Sequence, residues 1–239
     1  LILARRIFGS VLGLGVLTAP NQRELMSFSV PQGMSDLLNL LLGRVDIVMI
    51  GFFFPDRPEL VAFYAVASLL SGTVKKVRIA FDTALSPVIS GLLAKDDHPS
   101  LLLVYQRTST WIFLLYMLFA GVLSLSAPLA LAIAGAEFTD FWVLVPILAF
   151  ARFFNAAGGP AQSALLMSGR SRLEFLNNVL INLGNIGLNA LMIPLYGVYG
   201  AALATASSLT IFNLVRVFEV RHFLRIAPPA GLIFKITLG

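Results

Sequence analysis

Lys75-Lys76-Val77-Arg78 is a cluster of cations between two apolar stretches, Leu60–Val74 and Ile79–Ala94, the second broken only by Asp82. If this stretch crosses a bilayer, each ionisable group costs at least ~2.5–3.5 kcal/mol and must face a partner or a water-filled cavity. Lys75, Arg78 and Asp82 are spaced i, i+3, i+7, which is one helix face, with Lys76 about 100° away. Gln32, Asp36, Asn39, Gly43 and Asp46 step by 4, 3, 4 and 3 along another segment, with Arg44 beside that face. Asn178, Asn182, Asn185 and Asn189 do the same on a third. Clustered Lys and Arg favour phosphate-like anions through charge-assisted hydrogen bonds. Carboxylates on a facing helix offer ion pairs. Counting equal distances from Arg57 sets Asp36 opposite Arg78, so an Asp36–Arg78 pair, or one using Lys75, is within reach; at least one cation is left over.

The elements that hold these stripes are membrane helices. The 239-residue chain is 58% hydrophobic and 12% charged, with a mean hydropathy of +0.88, against about 25% charged in soluble domains. A water-soluble enzyme and a disordered chain are both excluded on those numbers. The net charge of +5 reads as membrane topology rather than nucleic-acid binding. There is no Cys, and the two His, His98 and His222, only flank apolar segments. Thiolate chemistry and zinc knuckles are therefore excluded, a metal site would have to be built mostly from carboxylates, and no metal, cofactor or catalytic residue is expected.

A crossing needs about 20 mostly apolar residues. Segments 25–54, 101–127, 141–168, 173–195 and 198–220 qualify, bounded by Pro55-Asp-Arg-Pro58, Asp96-Asp-His-Pro99, Gly135-Ala-Glu137, Ser168-Gly-Arg170 and Pro194-Leu-Tyr-Gly197. Segment 60–93 reads as one helix of ~51 Å or as two short helices around an aqueous Lys75–Arg78 link. Loop charges decide. One helix puts Arg5, Arg6, Arg23, Lys95, Arg170, Arg172, Arg221 and Arg225 on one side and only Arg57 on the other; two helices scatter them, against the positive-inside rule. Six crossings over 25–220 follow. Residues 1–24 are expected to hold the end of a preceding helix and a cytoplasmic connector, and 221–239 a connector and the start of a further helix. Gly158-Gly159-Pro160 interrupts the 141–168 crossing as a tolerated kink or a hinge, with Arg152 just before it. The Asn row serves equally as interhelical hydrogen bonding or as polar cavity lining.

Glu24-Leu-Met-Ser-Phe-Ser-Val-Pro31, Gly43-Arg-Val-Asp-Ile-Val-Met-Ile-Gly51, Val61-Ala-Phe-Tyr-Ala-Val-Ala67, Pro87-Val-Ile-Ser90, Asn189-Ala-Leu-Met-Ile-Pro-Leu-Tyr-Gly197 and Gly200-Ala-Ala-Leu-Ala-Thr205 together resemble, in order and spacing, the second half of Wzx-like oligosaccharide flippases. These form a branch of the multidrug/oligosaccharidyl-lipid/polysaccharide exporter superfamily. The resemblance implies an all-α polytopic membrane bundle in which six transmembrane helices form one lobe of a two-lobed, MATE-like transporter, the N-terminal lobe being absent from this sequence. It implies a flippase, not an enzyme, that turns an undecaprenyl-pyrophosphate-linked repeat unit across the bacterial inner membrane for O-antigen or exopolysaccharide biosynthesis. The expected partners are the lipid-linked oligosaccharide, membrane lipids, the missing lobe and polysaccharide polymerase machinery, with no nucleic acid. Lys75, Lys76, Arg78, Arg152 and Arg44 would form the cationic cavity. Asp36, Asp46 or Asp82 would serve ion coupling or pairing, with Gln32, Asn39, Asn178, Asn182, Asn185 and Asn189 as polar lining. The alternative is a multidrug exporter or a lipid II flippase of the same superfamily; a cationic-drug exporter calls for an acidic or aromatic cavity, which Lys75-Lys76-Arg78 argues against.

Overall fold

The computed structural model describes residues 22–156 and 158–229. The connector expected over 1–21 and the helix start expected beyond 229 lie outside the described residues. The chain is all-α, and among the described residues there is no strand. Its helices are α1 (Gln22–Leu42), α2 (Val45–Phe53), α3 (Pro58–Gly72), α4 (Lys75–Ala94), α5 (His98–Ala134), α6 (Leu144–Ala156), α7 (Ala161–Met167) and α8 (Ser171–Leu224), with a 3-10 turn at Ala136–Phe141. Among the described residues, three stretches are long and apolar enough to cross a membrane: Pro58–Ala94, His98–Ala134 and Ser171–Leu224.

The segment expected to run unbroken over 25–54 is two helices. It breaks at Gly43-Arg44, where Arg44 leaves helical geometry at φ −131°, ψ 22°; glycine is a weak helix former, and this one lies within the polar stripe. At 58–94 the chain stays helical through Thr73 (φ −61°, ψ −33°) and Val74 (φ −60°, ψ −29°). There the ladder tightens to i→i+3 bonds, Thr73 N to Leu70 O at 3.1 Å and Val74 N to Ser71 O at 3.4 Å, a 3-10 adjustment inside one path. The 141–168 segment is likewise two helices, α6 and α7, with Gly158-Gly159-Pro160 outside both.

Helix α8 is an antiparallel hairpin. Its arms, 171–196 and 198–224, reverse at Gly197 (φ 59°, ψ −138°), a conformation that glycine alone adopts without strain. Helix α5 starts on Asp97, whose side chain accepts from Ser100 N at 3.1 Å as an N-cap. That bond, with the Ser100 hydroxyl, holds the carboxyl below its ordinary pKa.

Apolar side chains pack in three clusters, two at the ends and a third of Val74, Ile112, Phe113, Tyr116, Phe153 and Ala156. Ile50, Phe63, Leu131, Leu144, Leu148 and Ile193 close the end that carries the Gly197 turn, where Phe63 stacks on Phe141 with centroids 4.4 Å apart. Ile89, Leu101, Tyr105, Leu165, Val220 and Leu224 close the other. The outer surface is apolar, as at Leu125 (88% exposed) and Ile133 (85%), which suits a lipid solvent. With lipid outside, packing and polar contacts rather than hydrophobic transfer hold the helices together. Between the two end clusters the interior is polar.

Candidate functional site: a cationic interior cavity

A cavity of about 600 Å³ occupies that interior, with every helix contributing to its wall. Helix α1 and the break after it supply Asp36, Asn39 and Gly43, α2 supplies Asp46, and α4 supplies Lys75, Arg78 and Asp82. Tyr116 comes from α5, Arg152 from α6, and Gln162 and Ser163 from α7. The two arms of α8 add Asn178, Asn182 and Asn185, then Thr205, Ser208 and Arg216. The helical spacing of the three stripes, each on one face, brings them to one space.

The charges in this wall are partnered unequally. Arg78 Nε lies 3.4 Å from Asp82 Oδ2, and Asp82 Oδ1 accepts from Ser163 Oγ at 2.7 Å. Arg78 is buried, and its Nη2 has no hydrogen-bond partner. The Asp36–Arg78 pair expected across the hairpin therefore does not form. Asp82, one turn along the same helix, is reached at no cost in main-chain rearrangement, and Asp36 accepts instead from Gln32 Nε2 at 3.1 Å. Asp46 is fully engaged, accepting from Tyr64 OH at 2.6 Å and from Ile47 N at 3.0 Å.

Arg216 is the most completely satisfied cation. Its Nη2 and Nε donate to the two Glu174 oxygens at 2.5 and 3.2 Å, and Nη2 donates to Asn178 Oδ1 at 2.9 Å. Beside it Asn177 Nδ2 donates to Glu219 at 2.6 Å. Lys75 and Arg152 stand in contrast. Among the described residues neither has a carboxylate within 4.0 Å, and Arg152 Nε is buried without a hydrogen-bond partner. The charges that Lys75 feels most are those of Arg152 and Arg78. Three cations thus line a polar cavity in which, among the described residues, only Arg78 has a carboxylate within 4.0 Å. Such a wall is set to receive an anion.

Some expected residues lie elsewhere. Lys76 points to the far side of α4, into a separate apolar groove. The cause is its ~100° rotation from Lys75 on a helix. Arg44 is exposed at the α1–α2 break and is not in the cavity wall. Gln32 supports Asp36 from one turn away. Asn189 is fully buried below the cavity and donates to Asn185 Oδ1 at 3.0 Å. Asn185 itself reaches across the hairpin to Ser208 at 3.1 Å, whereas Asn182 turns back on its own helix, to Asn178 O at 2.7 Å. The Gly158-Gly159-Pro160 break is packed tightly: Tyr105 OH donates to Gly158 O at 2.7 Å, and a Cβ on Gly159 (φ +66°) would run into the Ser109 hydroxyl.

Glu174, Arg216, Glu219, Tyr64, Tyr116, Ser163 and Thr205 were not among the expected site residues. A signal existed for the first two: each lies 21 residues from Leu195 in the last turn, the same counting that was applied to the first hairpin.

No protein-family model matches the chain. Curated relatives are archaeal. The chain is 24% identical over 210 residues to Agl15 of Haloferax volcanii, a probable low-salt glycan biosynthesis flippase, covering 86% of this chain and 43% of that protein. It is 24% identical over 213 residues to AglR of the same organism, a probable flippase, covering 84% and 42%. The chain thus spans less than half the length of the curated relatives it matches. Among solved structures it is similar to a MOP-superfamily transporter from Pyrococcus furiosus, described for the reversed polarity of its binding pocket and a different function. That match has a TM-score of 0.67 at 16% identity over 87% of this chain and 47% of the other. The fold is similar to that of about half of that transporter, and the spanning stretches among the described residues support a multi-pass membrane protein.

Proposed function

We propose that this chain is one six-crossing lobe of a flippase for lipid-linked oligosaccharides, and that its cavity receives the phosphate or pyrophosphate joining glycan to polyprenyl carrier. One observation carries the reading: Lys75, Arg78 and Arg152 face a shared cavity, and among the described residues neither Lys75 nor Arg152 has a carboxylate within 4.0 Å. A pyrophosphate brings two or three negative charges in a compact group, and Lys and Arg bind it by charge-assisted hydrogen bonds. The Asn, Ser and Thr groups around it suit sugar hydroxyls, while the carrier's chain stays in lipid. Loading neutralises the cavity, which lowers the electrostatic barrier to swinging the site across the bilayer. The Gly158-Gly159-Pro160 break is the proposed hinge of that movement.

Both relatives are named as flippases and one for glycan biosynthesis, which supports a glycan lipid as cargo. The resemblance in the sequence points to an undecaprenyl carrier, the bacterial cytoplasmic membrane, and surface polysaccharide as the product. The pocket-polarity theme attached to the Pyrococcus transporter supports treating the sign of the cavity as the property that selects cargo. Of the three aspartates in the cavity wall, Asp36 accepts the fewest hydrogen bonds, and it is the proposed coupling-ion group.

The test is the Lys75→Gln/Arg152→Gln double variant of the full-length protein, in proteoliposomes containing a fluorescent lipid-linked oligosaccharide. Translocation is expected to fall at least tenfold with insertion unchanged. Normal translocation would remove the cationic-cavity reading.

A further inference from the structure

Lys76 lines a second space of about 320 Å³, between the α3–α4 junction and α5, together with Thr73, Val74, Phe119, Val122 and Ser126. This groove opens outward: Phe119 is 48% and Val122 57% exposed, whereas Val74 is 3%. Val74 packs with Ile112, Phe113 and Tyr116, and Tyr116 lines the interior cavity. The partition between groove and cavity is therefore one layer of side chains. Lys75 and Lys76, adjacent in sequence, stand on its two faces.

Depth decides what Lys76 meets. It is the central residue of the 37-residue stretch Pro58–Ala94, ~27 Å from either end at 1.5 Å per residue. The hydrocarbon core extends only ~15 Å from its midplane. An ordinary phospholipid keeps its phosphate at the interface, out of reach of a lysine at mid-depth. A lipid whose headgroup is itself in transit does reach it.

We infer that the groove is a staging site for the carrier lipid. Lys76 holds the phosphate of a polyprenyl-phosphate lipid on the membrane face of the partition, with the prenyl chain along Phe119 and Val122. Lys75 and Arg78 take the same phosphate on the cavity face. The inference rests on the flippase reading and adds a route: cargo passes between the α3–α4 junction and α5. The 3-10 tightening at Thr73-Val74 lies at the crossing point, where a small change in winding moves both lysines.

The experiment uses the full-length protein in phosphatidylethanolamine–phosphatidylglycerol vesicles containing radiolabelled undecaprenyl pyrophosphate. The photoreactive residue p-benzoylphenylalanine replaces Phe119 in the groove or, separately, Ile181, an α8 residue that also lines the interior cavity. Both positions are expected to label. Lys76→Gln is expected to cut labelling at 119 at least tenfold and Lys76→Arg to restore it, while Lys75→Gln/Arg152→Gln leaves labelling at 119 and removes it at 181. Retained labelling at 181 in Lys76→Gln reports that the variant is folded. Labelling at 119 that ignores Lys76→Gln, that is matched by radiolabelled phosphatidylglycerol, or that joins 119 to another segment of the polypeptide would overturn the inference. Labelling at 181 alone sinks this inference and spares the flippase reading; labelling at neither position sinks both.

Discussion

In the α8 hairpin, Arg216 meets both oxygens of Glu174 and the amide of Asn178. Across the same cavity, Lys75 and Arg152 meet no carboxylate within 4.0 Å among the described residues. The first arrangement joins two arms of one hairpin and satisfies the charges it buries. The second leaves charge unsatisfied on a wall built from α4 and α6. Ionisable groups in a membrane are retained for structure or for function, and pairing separates the two. Where the partner is within the fold, the charge holds helices together; where it is missing, the proposed partner is the anion of the cargo.

The sharpest way to break that comparison is to make the sealed pair resemble the open wall. Glu174→Gln strands a guanidinium that is almost wholly buried (6% exposed beside a carboxylate at 0%). Removing one partner of such a pair typically costs ~3–5 kcal/mol, so thermal unfolding of the full-length variant in detergent is expected to shift strongly downward. Glu174→Gln/Arg216→Met should recover most of that loss, because replacing both members removes the stranded charge. A single variant as stable as the parent would show that the pair is not structural.

Lys75→Gln/Arg152→Gln probes the other side and should do the reverse. Stability is expected to stay within ~1 kcal/mol of the parent, since the changes relieve like-charge repulsion and break no ion pair. Activity then carries the effect, as in the tenfold loss given above. A double variant that unfolds without losing activity per folded molecule would invert the two assignments.

Gly159→Ala tests the seam between these regions, where α6 gives way to α7. A non-glycine residue at φ +66° that also meets Ser109 should cost ~1–3 kcal/mol. Ser109→Gly in the same chain should return part of it, because it vacates the space the new Cβ needs. Equal melting temperatures for parent and Gly159→Ala would show that the break is looser than its packing.

Much of this was legible in the sequence, and the failures have physical causes. Stripes at steps of 3 and 4 placed Asp36, Asn39, Asp46, Lys75, Arg78, Asp82, Asn178, Asn182 and Asn185 on single faces, and the cavity wall collects them, whereas Asn189 of the same row is buried below it. Apolar length and loop charge argued for one path through 58–94, and its backbone stays helical through Thr73 and Val74. Counting from Arg57 failed for Asp36–Arg78 because it assumes straight helices, and the Gly43-Arg44 break removes α1 from the register of α3 and α4. The same counting about Leu195 matches Glu174 to Arg216, since the two arms of α8 are continuous up to Gly197. Lys76 was grouped with its neighbours by sequence adjacency, although one residue on a helix is a change of face. Partners such as Ser163 and Tyr64 carried no charge to mark them, and only tertiary packing brings them to Asp82 and Asp46.

The smallest expected effect divides the Asn row itself. Asn185 donates across the hairpin to Ser208 at 3.1 Å and to Thr205 at 3.3 Å, whereas Asn182 donates to the Asn178 carbonyl of its own helix at 2.7 Å. An interhelical hydrogen bond in a membrane is worth ~0.6 kcal/mol on average and at most ~1.7. A back-bond within one helix adds nothing between helices. Asn185→Ala is therefore expected to lower stability by ~1 kcal/mol, and Asn182→Ala to leave it unchanged within measurement. Both side chains line the cavity, so a loss of translocation in Asn182→Ala at constant stability would mark it as a cargo contact. Equal destabilisation by the two would mean that the row acts only as interhelical hydrogen bonding, and the polar lining would shrink to the α4 and α6 cations with their immediate partners.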